Sequence, residues 1–161
     1  MRVYLSGGME YSKDEGRDWR RTMQYWIESE LRGDVFNPNV ESDRLFSTKH
    51  AGVNFRKLKA EDFSLYQEIA RELVALDTEE IATRSDLVIC FWDDSAQRGA
   101  GTKGELTIAR YFGKPVFMVT STPMEAIPGW VIGCVTMIVP DFDSLKKLLL
   151  ERSRDGSSHR P

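Results

Sequence analysis

Excess positive charge, cysteine and long apolar runs are all scarce in this chain, and each shortage removes a class of function. Twenty-two Lys and Arg stand against 25 Asp and Glu, a net charge of −3, and no arginine-rich run offsets that balance. Polymeric nucleic acid, whose phosphates need a cationic face, is therefore not an expected partner. The two cysteines, Cys90 and Cys134, lack metal-ligand spacing and read as small buried hydrophobes. Neither a metal nor a cofactor is expected, and the compartment that suits free thiols is a reducing cytoplasm. No apolar run approaches a membrane span, so no membrane partner is expected. The chain enters R-V-Y-L-S-G-G at once, which leaves no room for a charged and apolar leader and again points to the cytoplasm. Repeats and low-complexity segments are absent as well.

What is present is organised around Ser85 to Glu105, S-D-L-V-I-C-F-W-D-D-S-A-Q-R-G-A-G-T-K-G-E. The apolar run Leu87 to Trp92 predicts a central strand buried on both faces, ending near Asp93. Asp93 and Asp94 then open a loop in which Gly99, Gly101 and Gly104 let backbone approach a ligand. A helix carrying Leu106, Ile108, Ala109 and Phe112 follows. In open α/β sheets such a junction is where ligands bind.

Arg2 to Leu5 reads as the first strand, and Ser6-Gly7-Gly8 as a loop that offers bare N–H groups at the same edge. A helix follows, with Ser12-x-x-Glu15 in capping-box form, a stripe of Trp19, Met23, Trp26, Ile27 and Leu31, and Gly33 as a left-handed cap. Asp34 to Asn37 is a short strand stopped by Pro38. Residues 39–60 show no sustained period, which predicts a lid, an insertion or an unrecognised helix; His50 is a minor ligand-contact candidate there. From Glu61 a helical period returns through Phe63, Tyr66, Ile69, Ala70 and Leu73. Steps of four from Ile69 reach Leu73, Asp77 and Ile81, so Asp77 places a carboxylate on an inward stripe. Such a group is costly unless paired or used; the alternative is a cap for a further helix from Thr78.

Gly113 caps the helix after the central strand, and P-V-F-M-V is the next strand. Thr120 to Gly133 is a loop with a short helix around Met124 to Trp130, and Cys134 to Val139 is the last strand. Asp141-x-x-Ser144 to Leu150 makes a final amphipathic helix, and residues 153–161 read as a disordered tail after a single domain of residues 1–152. Five strands alternating with helices predict a three-layer α/β/α sandwich on a parallel sheet, flavodoxin-like or more broadly Rossmann-like.

Three motifs compete at residues 99–105. Gly99-Ala-Gly101-Thr-Lys-Gly104 satisfies G-x-G-x-x-G, but the acidic residue a dinucleotide site needs about 20 positions on is missing. Gly104 is not followed by Lys and Ser or Thr, which excludes a P-loop. Thr102-x-x-Glu105 has capping-box form with Glu105 at the third helical position, where the helix dipole favours an ionised carboxylate. Held at a ligand-binding edge, such a carboxylate suits a nucleophile.

Y-L-S-G-G at 4–8, an aspartate ahead of S-D-L-V-I, and G-T-x-x-E-L followed by G-K-P-V resemble the nucleoside 2'-deoxyribosyltransferases and the related 2'-deoxynucleoside 5'-monophosphate N-hydrolases. The resemblance covers most of residues 1–139 apart from 39–60. It implies that Glu105 is the nucleophile on the anomeric carbon, that Tyr4 orients it, and that Ser6, Gly7, Gly8 and Met9 cradle a small nucleoside or nucleotide. It further implies that Asp77 serves the departing base, with a pKa pushed upward by burial. Transfer of a deoxyribosyl group to a second base is the implied reaction, with nucleotide hydrolysis as the alternative, and a homo-oligomer the implied assembly. Three departures stand out. Asp77 lies one residue further from Asp86 than the resemblance leads one to expect, so an irregularity must be absorbed between Ile81 and Ser85. Gly99, six residues before Glu105, occupies a position where the transferases carry aspartate, leaving Asp93 or Asp94 to substitute. Finally, A-I-P-G-W lacks the asparagine that in some transferases enters the neighbouring site. Arg98, Gly101 and Thr102 complete the substrate-binding candidates, and a non-catalytic nucleotide-binding module is the reading from a different class.

Overall fold

The computed structural model describes residues 1–157. Elements follow in the order β1 (Arg2–Gly7), α1 (Arg17–Glu30), β2 (Asp34–Phe36), α2 (Pro38–Lys49), α3 (Phe55–Glu61), α4 (Phe63–Glu79), β3 (Leu87–Phe91), α5 (Asp94–Arg98), α6 (Gly101–Tyr111), β4 (Val116–Val119), α7 (Gly129–Cys134), β5 (Met137–Val139) and α8 (Phe142–Ser157). All strand pairs are parallel, in the order β2-β1-β3-β4-β5. This is a three-layer Rossmann-like sandwich in the flavodoxin strand order, with its switch point between β1 and β3.

Strand alternation divides the core. Val3, Leu5, Ile89, Phe117 and Val119 pack against Met23 and Ile27 of α1 and Leu145 and Leu149 of α8. Tyr4, Val88, Cys90 and Met118 face the other way, onto Leu106 of α6, Val131 of α7 and Ile81. The central strands have no polar face because helices cover both sides.

Several expected boundaries move. No capping box opens α1: Gly16, left-handed at φ 69°, precedes it, and the Asp14 carboxylate accepts the Gly16 and Asp18 amides. At the other end the left-handed residue is Arg32, not Gly33. Gly33 is needed for space, since a Cβ there would stand 3.0 Å from both Ile27 Cγ2 and the Met1 carbonyl. Residues 39–60 are largely two helices, α2 and α3. Cys134 ends α7 instead of opening a strand, with Val131 and Cys134 one turn apart on its buried side. Helix α8 continues past Leu150 to Ser157, through the first residues of the expected tail; residues 158–161 lie outside the described residues. Both cysteines are free and buried, as their isolation in sequence predicts. No helix among the described residues is long and apolar enough to cross a membrane.

Candidate active site

The alternation that sends Val3 and Leu5 toward α1 sends Tyr4 and Ser6 toward α6. Ser6 Oγ donates to Glu105 Oε2 at 2.5 Å. The Tyr4 ring is wholly buried and stacks on Phe36 with centroids 5.2 Å apart. Its hydroxyl lies beside both Glu105 and Asp77 without a well-formed hydrogen bond to either.

Glu105 is not the third residue of a capping box. Helix α6 starts at Gly101 after Ala100, no side chain caps it, and Glu105 falls in the second turn. Thr102 is buried inside the first turn instead of standing ahead of it. The consequence is electrostatic. Burial pushes the Glu105 carboxyl above the usual range, and what opposes the rise is the Ser6 hydrogen bond, the Arg20 charge and the Tyr4 hydroxyl.

Asp77 comes from the last turn of α4. The spacing anomaly resolves physically. Glu80 to Arg84 form a single π turn, in which the Ser85 amide donates to the Glu80 carbonyl at 2.9 Å, five residues back. One extra residue is accommodated there, and Asp77 keeps the inward direction of Leu73 and Ile81. Burial first, and then the negative charge of Glu105, raise the Asp77 pKa to about 7. The two acids interact, and burial raises both of them.

The glycine loop serves packing between protein segments. A Cβ on Gly8 would sit 2.3 Å from Ser95 Oγ and 2.5 Å from the Ala96 nitrogen; one on Gly7 would sit 2.9 Å from Trp19 Cζ2. These glycines let the β1–α1 loop lie flush against α5 and α1. Gly101 borders the site, with its added Cβ 3.9 Å from Glu105 Oε1, whereas Gly104 faces open space. Met9 is half-buried beside the loop.

Other candidates fall outside the cluster. The Asp93 carboxylate caps α5 through the Ala96 amide at 2.8 Å, and Asp94 is exposed in the first turn of α5. Neither is hydrogen-bonded to Glu105. Arg98 is exposed and lies over the Tyr11 ring at 4.4 Å. His50 packs on Phe46 and approaches Glu72 at 3.4 Å, away from the carboxylate pair.

One residue escaped the sequence reading. Arg20 is 1% exposed, and its charge reaches Glu105, Asp77 and Tyr4. The available signal was the one that exposes Asp77: Arg20 stands three residues before Met23 and seven before Ile27, a charge on a buried stripe. Among the described residues no group of three or more His, Cys, Asp or Glu side chains is placed to hold a metal ion.

No protein-family model matches the chain, and no curated protein matches it. Solved structures do. A conserved protein from Enterococcus faecalis V583 superposes with a TM-score of 0.60 at 15% identity, over 94% of this chain and 98% of that one. A CMP N-glycosidase from Clostridium botulinum superposes with a TM-score of 0.53 at 16% identity, over 92% of this chain and 97% of that one. At such identities the likeness establishes a shared fold over nearly the full length of each chain.

Proposed function

We propose that the protein cleaves the N-glycosidic bond of a nucleoside or nucleoside monophosphate, with Glu105 as nucleophile and Asp77 as acid. One observation carries this reading: Asp77 and Glu105 interact beside Tyr4, Asp77 keeps its proton up to about pH 7, and Ser6, Arg20 and Tyr4 oppose the rise that burial imposes on Glu105. Environments that separate two acids in this way assign acid and nucleophile roles. Glu105 attacks C1' as the C1'–N bond breaks through an oxocarbenium-like transition state. The bonding pair leaves with the base, and Asp77 gives its proton to the base nitrogen. Water then opens the glycosyl ester, returning one proton to Asp77 and leaving its hydroxyl on the sugar.

Interception of the same ester by a second base would be deoxyribosyl transfer, the outcome implied by the motifs at 4–8 and 102–105. Hydrolysis is the leading reading, supported by Gly99 at the position where transferases carry aspartate and by a fold shared with an enzyme that acts on CMP. Incubation with CMP, with deoxynucleoside monophosphates, and with a deoxynucleoside plus a different free base, followed by chromatography, separates the outcomes. Free base alone supports hydrolysis, and a new nucleoside supports transfer. No product from any of them, with Glu105→Ala indistinguishable from wild type, rejects both. Trapping a glycosyl adduct on Glu105 by mass spectrometry tests the nucleophile directly.

A further inference from the structure

Arginine is rarely buried without an acidic partner, because the desolvated charge needs compensation. Arg20 is such a case. Its guanidinium donates to five acceptors, none of them a carboxylate: the carbonyls of Leu5 (3.1 Å), Gly7 (2.7 Å), Glu15 (3.0 Å) and Gly16 (3.2 Å), and Asn39 Oδ1 (3.4 Å). Two of these carbonyls flank Ser6, whose hydroxyl holds Glu105. Two others belong to consecutive left-handed residues, Glu15 at φ 59° and Gly16 at φ 69°, a turn that is strained for glutamate. The fork lies so close to this turn that a Cβ on Gly16 would meet Arg20 Nη1 at 2.4 Å. The group is further sandwiched on Trp19, 4.7 Å from the ring centroid.

We propose that Arg20 is a positioning residue of the carboxylate site, fixing Ser6 against Glu105 through the carbonyls on either side of it and supplying the fixed cation of that site. This rests on the assignment of Glu105 as nucleophile. A planar fork is required, because only a guanidinium satisfies several carbonyls in fixed directions at once. The charge adds to the Ser6 hydrogen bond and the Tyr4 hydroxyl, the neutral groups that also oppose the rise burial imposes on Glu105. Asp77 from α4 is acidic, and Tyr4 and Ser6 from β1 and Cys90 from β3 are uncharged, with Asp93 an additional acid acting on Cys90. Among the described residues Arg20 is the only cation that acts on this group.

The test is the Glu105 titration, followed by NMR of ¹³C-labelled glutamate carboxyls and assigned with Glu105→Gln. Arg20→Met is expected to raise the Glu105 midpoint by about one pH unit or more, moving the acid limb of kcat/KM by the same amount. Arg20→Lys keeps the charge but loses the fork: the midpoint stays within a few tenths of a unit while kcat falls about tenfold or more, with KM changed less. A folded Arg20→Met protein with an unshifted Glu105 midpoint overturns the proposal. Should that variant not fold, Arg20→Lys with wild-type kcat overturns it equally. Failure of the glycosidase reading looks different: wild type turns over no nucleoside or nucleotide, yet Arg20→Met still shifts the Glu105 midpoint.

Discussion

Asp77 is held where its ionised form costs the fold stability. An acid whose pKa is higher folded than unfolded binds its proton more tightly in the folded state, so raising the pH between the two values destabilises the protein. For Asp77 the window runs from its ordinary value of 3.8 to about 7. Below about pH 4 it costs nothing; above about pH 7 the penalty is complete. Asp77→Asn is therefore expected to be more stable than wild type at pH 8, by on the order of a few kcal/mol, and equal to it near pH 4. Thermal denaturation at the two pH values checks this, and equal stability at both would place Asp77 in ordinary solvent. On the proposed mechanism the same substitution should lower kcat about 10²–10⁴-fold, and wild-type activity should decline above pH 7 where the variant's does not. Asp77 was legible in the sequence because a carboxylate interrupts a stripe of Ile69, Leu73 and Ile81. Arg20 interrupts its stripe equally, but Trp19, four residues before Met23, continued the apolar series and concealed it.

Single elements hold these side chains, and the π turn from Glu80 to Arg84 is the most exacting. Its extra residue is visible in the sequence as a spacing anomaly, whereas its anchor is not. The Glu80 side chain is fully buried, receives Arg2 Nε at 2.5 Å and Ser85 Oγ at 3.1 Å, and lies 3.8 Å from Arg84. Breaking a buried pair costs more than a surface pair contributes, because one group is left desolvated without compensation. Arg2→Ala leaves the fully buried Glu80 carboxylate with Ser85 and the more distant Arg84 and is expected to destabilise by on the order of a few kcal/mol, roughly 2–4 °C in Tm per kcal/mol for a chain of this size. Glu80→Ala should cost less, since the Arg2 and Arg84 side chains it leaves unpaired both reach solvent. A calorimetric scan of both variants decides; no loss from Arg2→Ala would mean that the pair does not anchor the turn. Helix starts were the least legible elements. The boxes at Ser12 and Thr102 have the right residues, but Asp14 captures the amides ahead of α1 and α6 begins one residue before Thr102, so neither reciprocal pair forms.

Across the whole molecule, what could be read was what is buried on both sides. The β1, β3 and β4 strands are apolar runs because helices cover each face, and their alternation with helices determines the sandwich. Residues 38–61 resisted because they fold without a core: α2 buries only Pro38 and Asn39, and α3 buries nothing. Ring contacts of Phe46 with Phe55 and of Phe55 with Tyr66 hold that segment to α4, and charges hold it to the loop after β1. Arg56 pairs with Glu15, Arg17 with Asp43 and Glu15, and Lys59 with Glu10. Neither kind of contact imprints a 3.6-residue apolar period. Glu15 joins this clasp to the strained turn that Arg20 supports, and Asn39 of α2 adds neutral hydrogen bonds from Arg20 and to the Glu15 carbonyl. Exposed ion pairs are worth about 0–1 kcal/mol each and are screened by salt. Raising NaCl from about 0.05 M to 1 M, where the Debye length falls to about 3 Å, is expected to speed amide hydrogen exchange in residues 38–61 several-fold and to leave β1, β3 and β4 unchanged. Arg56→Ala at low salt should reproduce the effect, and adding salt to that variant should do little more. Exchange in 38–61 that ignores both salt and Arg56→Ala would assign the segment's attachment to the aromatic contacts and the neutral hydrogen bonds, and the site would then be insensitive to ionic strength.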